Sequence, residues 1–246
     1  IDIIMLGVLR SEFEVGLYAA ASRLFTVAAV LATLLHGVYL PVFSESGPGA
    51  ETPPSSTAIY AQILGIVGGA IIIVGAVLSG PIINLLFGVK FTTAETALMI
   101  LLLSAGLFYF AQAFGTPLLA WQSDRAYLKI IALAAILNLM LNAVLIPIFG
   151  MEGAAAATLA SYAVFLLILG VVVGKAYRLD HRHLFGKIIA LTAICVLPMT
   201  LLRYTGASVS LSEIISGGIA SLVVFVWLCH KFNVFEPSEL RRFFSS

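Results

Sequence analysis

Apolar residues in this chain run in long blocks separated by short polar breaks, with no sign of alternation. Seven blocks reach the roughly 20 residues that a helix rising about 1.5 Å per residue needs to cross a hydrocarbon core. They cover residues 14–40, 60–87, 94–120, 126–149, 153–176, 185–203 and 211–230. Residues 1–9 form an eighth apolar piece, too short to cross. The chain opens on Ile1, so this piece is expected to be the end of a helix that begins upstream. Membrane β-barrels need weak alternating segments of about ten residues, which these continuous runs do not provide.

The breaks set the expected order of the bundle. "SESGPGAETPPSS" (44–56) is rich in Ser, Pro and Gly and reads as an exposed loop. The stretches 88–95, 121–127, 148–153 and 203–213 read as short connectors, which make consecutive helices antiparallel neighbours. Composition agrees: 61% of residues are hydrophobic, 10% are charged, and mean hydropathy is +1.10. A soluble domain carries about 25% charged residues, so hydrocarbon must cover most of this surface.

Positive charge gives the orientation, because cytoplasmic loops of membrane proteins are enriched in Lys and Arg. Alternate breaks lie on opposite sides. One side holds three such residues, Arg10, Lys90 and Arg203. The other holds nine: Arg125, Lys129, Lys175, Arg178, Arg182, Lys187, Lys231, Arg241 and Arg242. The C-terminus is therefore expected in the cytoplasm of a multi-pass inner (plasma) membrane protein, with membrane lipid as its surroundings. The basic 175–187 stretch suits anionic lipid, and nucleic acid is not an expected partner.

Small residues mark where helices can approach closely in lipid. Gly65 and Gly69, Gly170 and Gly174, and the stripe Gly153, Ala157 and Ser161 with Ala154 and Thr158 have that spacing. Polar groups at membrane depth are costly and point to function or to helix–helix contacts. With a first turn near residue 12.5, Asp2 and Arg23 lie at one level, each roughly 15 Å deep. They are expected to form an ion pair, to face a watery cavity, or to fix helix register, with Arg23 otherwise reaching toward headgroups. Asn138 and Asn142 share a helix face and suit either a polar ligand or a neighbouring helix. Tyr109 and Gln112 make a weaker pair of the same kind.

Other residues have simpler readings. Cys195 and Cys229 are expected at different depths, as core residues. His181 and His183 fall in the basic break, while His36 and His230 stand singly. Trp121, Tyr127, Tyr177 and Trp227 fall near helix ends, where aromatic belts form. Pro81, Pro117, Pro147 and Pro198 are candidate kinks. The chain has no phosphate loop, HExxH, nucleophile elbow or paired carboxylates. No enzyme activity, metal or cofactor is expected.

Two stretches resemble a known family. "IDIIMLGVLRSEFEVGLYAAASRLFTVAAVLATLLHGVYLPVFSE" (1–45) has an Asp in a helix, then "GLY", "AAASRL" and a long apolar run ending near a Pro. "PLLAWQSDRAYLKIIALAAILNLMLNAVLIPIFGMEGAAAATLASYAV" (117–164) places an Asn-bearing helix before Pro, Gly-x-x-Gly-Ala and Thr. Both resemble the C-terminal half of polysaccharide and lipid-linked oligosaccharide flippases, O-antigen type, in the multidrug/oligosaccharidyl-lipid/polysaccharide exporter superfamily. The resemblance covers nearly the whole chain, although 185–230 matches only in position and hydrophobicity.

The resemblance implies an all-α membrane bundle of seven full transmembrane helices plus a truncated first one, the second lobe of a two-lobed exporter. Residues 1–176 would be the lobe bundle, and 177–246 the final helix pair with its cytoplasmic tail. The implied activity is flipping a polyprenyl-linked oligosaccharide or polysaccharide repeat unit to the outer leaflet by alternating access, together with an N-terminal lobe absent from this chain. Asp2 and Arg23 fall where the family carries polar cavity residues. A drug or small-solute exporter of the same superfamily usually lacks the last helix pair, and a non-transporting scaffold is a further alternative. A membrane enzyme acting on polyprenyl substrates would show acids or His clustered at one face, a pattern missing here.

Overall fold

A computed structural model describes residues 1–46, 55–121, 124–177, 181–204 and 210–234. Every long element among them is an α-helix: α1 (Asp2–Leu9), α2 (Glu12–Ser46), α3 (Ser55–Phe87), α4 (Glu95–Ala120), α5 (Asp124–Tyr177), α6 (Arg182–Tyr204) and α7 (Leu211–Lys231). A 3-10 turn, Val89–Ala94, joins α3 to α4. Six of the helices, α2 to α7, are long and apolar enough to cross a membrane, α4 being counted together with the turn before it. The chain is a multi-pass α-helical membrane protein.

The chain turns within the expected connector, 148–153. α5 carries 54 residues in all, about 81 Å if straight, against a core of about 30 Å. The run is interrupted at Gly150, whose φ of 60° and ψ of −133° are non-helical and open essentially to glycine alone. There the chain doubles back. Asn142 and Thr158 would lie about 24 Å apart along a straight helix, yet both side chains bond the same carboxylate, that of Asp2. The two blocks read in the sequence are thus the two limbs of a hairpin whose turn is one residue wide.

Arg10 ties the tip of this hairpin to the junction of α1 and α2. Its Nε and Nη2 donate to the Ile146 carbonyl at 3.1 and 3.0 Å, and Nη2 also to the Pro147 carbonyl at 2.8 Å. The break at Gly150 leaves those carbonyls at a helix end, where a cation is favoured. Elsewhere close approach works as the small residues foretold. A Cβ on Gly65 would run into Ile188 of α6, and one on Gly69 would come within 2.7 Å of the Phe225 ring of α7.

Two apolar cores result. One, around Leu6, Leu17, Leu98, Leu101 and Ile146, packs α1, α2, α4 and the first limb near the hairpin tip. The other, towards the opposite end, is built of rings: Tyr39, Phe43, Tyr60, Phe110, Phe114, Trp121 and Phe185 among them. Trp121 is not a belt residue facing lipid. It is buried, and donates from Nε1 to the Phe43 carbonyl at 3.0 Å. His181 also departs from its expected place in an open basic loop, being buried against the Phe114 and Phe185 rings. Cys195 and Cys229 are buried free thiols. Most of the 44–56 stretch lies outside the described residues.

Candidate functional site: a carboxylate centre beside a cavity

Asp2 stands in the first turn of α1, where a helix N-terminus favours negative charge. Three side chains from two other helices donate to it: Tyr18 Oη of α2 at 2.9 Å, Asn142 Nδ2 of the first limb at 2.8 Å, and Thr158 Oγ1 of the second limb at 3.0 Å. Asn142 Nδ2 also reaches Asn138 Oδ1 at 3.1 Å, while the buried Asn142 Oδ1 faces no donor. Hydrogen bonds to an ionised acceptor are shorter and stronger than neutral ones. Three of them hold the Asp2 carboxylate in place, with no Lys or Arg among its partners in the described residues.

The geometry follows from two turns. Asp2 and Tyr18 each lie eight residues from Arg10, where the backbone leaves α1 in an extended conformation. Asn142 and Thr158 each lie eight residues from Gly150. Residues equidistant from a sharp turn meet at one level on antiparallel helices, so all four converge.

The expected Asp2–Arg23 pair is not made, because the first turn sits at residues 10–11 instead of near 12.5. Arg23 lies five residues further from that turn than Asp2 does, about 7.5 Å. It projects from an exposed face of α2.

Asp2 borders a half-open cavity of about 340 Å³ lined by α1, α2, α4 and both limbs of α5. Asn138, Thr158 and Ser161 line it alongside the rings of Phe25, Phe108, Tyr127, Tyr162 and Phe165, and among the described residues no Lys or Arg does. Tyr162 packs against both Phe25 and Phe108, at 6.1 and 5.6 Å between ring centroids. The lining therefore combines one acid, one amide, two aliphatic and two phenolic hydroxyls, and aromatic walls. It suits a polar neutral group or a cation and disfavours an anion.

Of the residues singled out in the sequence, Asp2, Asn138 and Asn142 come together here. Arg23 stands outside, and Tyr109 and Gln112 belong elsewhere on α4. Tyr109 Oη donates to the Ala28 carbonyl at 2.7 Å, and Gln112 is buried with Oε1 lacking a partner. Sequence reasoning missed Tyr18, and it took Thr158 only for a packing residue. Their mirror positions about Arg10 and Gly150 were the available signal.

The chain is 27% identical over 174 residues to a protein from Haloferax volcanii named a probable low-salt glycan biosynthesis flippase, Agl15. The aligned part covers 66% of this chain and 35% of that protein, so this chain spans about a third of the length of the curated relative it matches. No family model matches it. No solved structure matches it either.

Proposed function

We propose that this chain is the second lobe of a two-lobed flippase that moves a polyprenyl-linked oligosaccharide or polysaccharide repeat unit from the cytoplasmic to the outer leaflet by alternating access. The observation that carries the reading is the Asp2 centre. A carboxylate at membrane depth, held by donors on three helical segments and opening on a cavity, is more than helix packing requires. The flippase named among its relatives supports the same class of activity.

In this reading the chain crosses the membrane seven times, α5 contributing two crossings, with α1 as the end of a further helix. Residues 1–176 form the lobe, 177–246 the last pair and tail, and the C-terminus lies in the cytoplasm of the plasma membrane. The exposed face of α2 meets a first lobe, and Arg23 on that face receives the pyrophosphate, since the acid-lined cavity would repel it. Asn138 and the ring-lined walls accept uncharged sugar hydroxyls and faces. Asp2, with the spare Asn142 oxygen beside it, holds the coupling ion. Tyr109 and Gln112 support the wall formed by α4.

The test uses the full-length protein in vesicles, measuring headgroup translocation at matched protein amounts. Arg23→Ala should lower the rate at least about tenfold, the loss of one charge-assisted contact, and Arg23→Lys should recover part of it. Undiminished translocation in Arg23→Ala removes Arg23 from the mechanism.

One observation favours a second reading, an exporter of small organic cations. The cavity presents an acid and five aromatic rings with no base, which is the chemistry of cation–π recognition. Efflux of such cations without headgroup movement would select it.

A further inference from the structure

A second polar centre lies apart from the cavity, and the reading above makes little use of it. His36 Nδ1 of α2 is 2.8 Å from Thr116 Oγ1 of α4, and Thr116 Oγ1 is 2.8 Å from Tyr60 Oη of α3. Tyr60 and Thr116 are fully buried, and His36 is half-buried. Each hydroxyl has one hydrogen to give. That of Tyr60 has no acceptor among the described residues other than Thr116, so Tyr60 donates. The hydrogen of Thr116 then goes to His36 Nδ1, which must be a bare acceptor. His36 is therefore neutral, with its hydrogen on Nε2. No other arrangement lets both buried hydroxyls donate.

We propose that His36 is a proton-binding site and that protonation reverses this chain. A solvent proton adds to the Nδ1 lone pair and breaks the bond from Thr116. The new Nδ1–H donates to Thr116 Oγ1, the Thr116 hydrogen turns to Tyr60 Oη, and the Tyr60 hydrogen is displaced. A buried donor left without an acceptor is unfavourable. In this proposal its acceptor is Gln112 Oε1, which is buried, has no donor among the described residues, and stands one turn before Thr116 on the same side of α4. Because α2, α3 and α4 each hold one member, proton uptake alters how α2 is seated on its two neighbours.

The surroundings leave this proton to the chain itself. From α3 the facing titratable group is Tyr60. From α4 it is Tyr109, engaged with the Ala28 carbonyl. On α2, the Tyr39 ring lies 4.7 Å from that of Tyr60, while Arg23 and Glu45 lie about 20 and 13 Å away along the axis. From α5, Tyr127 abuts Gly115, and Asp124, Arg125 and Lys129 are exposed. Asp2 and Arg10 act at the level of Tyr18 and Ile146, far along α2.

The test is independent of transport. Record ¹⁵N-histidine NMR spectra of the intact protein in lipid nanodiscs across a pH series, with His36→Gln identifying the resonance. The expected result is a neutral ring in the Nε2–H tautomer, with Nδ1 shifting from unprotonated to protonated on acidification. In Thr116→Val the ring should relax to a tautomer mixture, and in Gln112→Leu the titration should move to lower pH. An Nδ1–H tautomer in the unmodified protein overturns the proposal. So does a ring that stays neutral wherever the fold survives. Should Thr116→Val fail to fold, the tautomer of the unmodified protein still decides.

Discussion

The two polar centres of this bundle differ in what they ask of their neighbours. At Asp2, donors from three helical segments converge on one carboxyl group, and the geometry depends on two turns placed eight residues from each participant. At Thr116, three groups are joined in a line whose Tyr60 end is packed among aromatic rings. The first centre is tuned by backbone placement and borders a cavity. The second is tuned by hydrogen-bond direction and is embedded in apolar packing. A charge at depth must be over-supplied with donors, whereas a neutral chain needs only that every hydrogen have a destination.

The contrast breaks most sharply at Gly150. Ala there would have to adopt φ +60° with ψ −133°, and its Cβ would meet Glu14 Oε2 at 2.5 Å. Strain of this kind costs about 3 kcal/mol, before the clash is counted. Thermal unfolding in detergent should show a loss of that size. The damage should be local: the Asp2 centre should come apart as Thr158 leaves the level of Asn142, while His36 keeps its tautomer. Loss of both centres together would mean they are not separately built.

Asn142→Leu is the next largest perturbation. It removes the donor to Asp2 Oδ1 and leaves a carboxylate oxygen undersupplied, at a cost of about 2 kcal/mol. Sodium dodecyl sulfate titration of the two proteins would measure it. An unchanged midpoint would indicate that the carboxylate is not held as an anion by these three donors.

How much of this was legible beforehand depends on the kind of information. Block lengths and polar breaks gave the helices to within a few residues, because hydrocarbon thickness imposes a minimum length on every crossing. Asp2, Asn138 and Asn142 stood out because polar groups in such blocks are costly. The partner of Asp2 was misplaced by five positions for one reason: the first turn was set between 10 and 14, and on antiparallel helices each residue of error in a turn displaces the expected partner by two. The roles of Thr158, until the turn at Gly150 is placed, and of Thr116 were hidden for another reason. A hydroxyl in a membrane helix can satisfy itself on the carbonyl four residues back, as Thr158 also does on Ala154, so its presence carries no signal until its neighbours are known. His36 looked solitary because its partners are 24 and 80 residues away.

The smallest effect belongs to the ring-packed end. Trp121 Nε1 donates to the Phe43 carbonyl at 3.0 Å, and its ring lies 4.7 Å from that of Tyr177, tilted by 59°. Trp121→Phe keeps an aromatic ring in place while deleting the donor. Hydrogen bonds between membrane helices contribute about 0.6 kcal/mol on average, because the separated helices find other partners. A loss of about 0.6 kcal/mol is therefore expected by the same denaturant titration, a fraction of that for Asn142→Leu. A loss as large as the latter would mean that this end too rests on a directed polar contact, and the distinction between a donor-built centre and a ring-built one would fail.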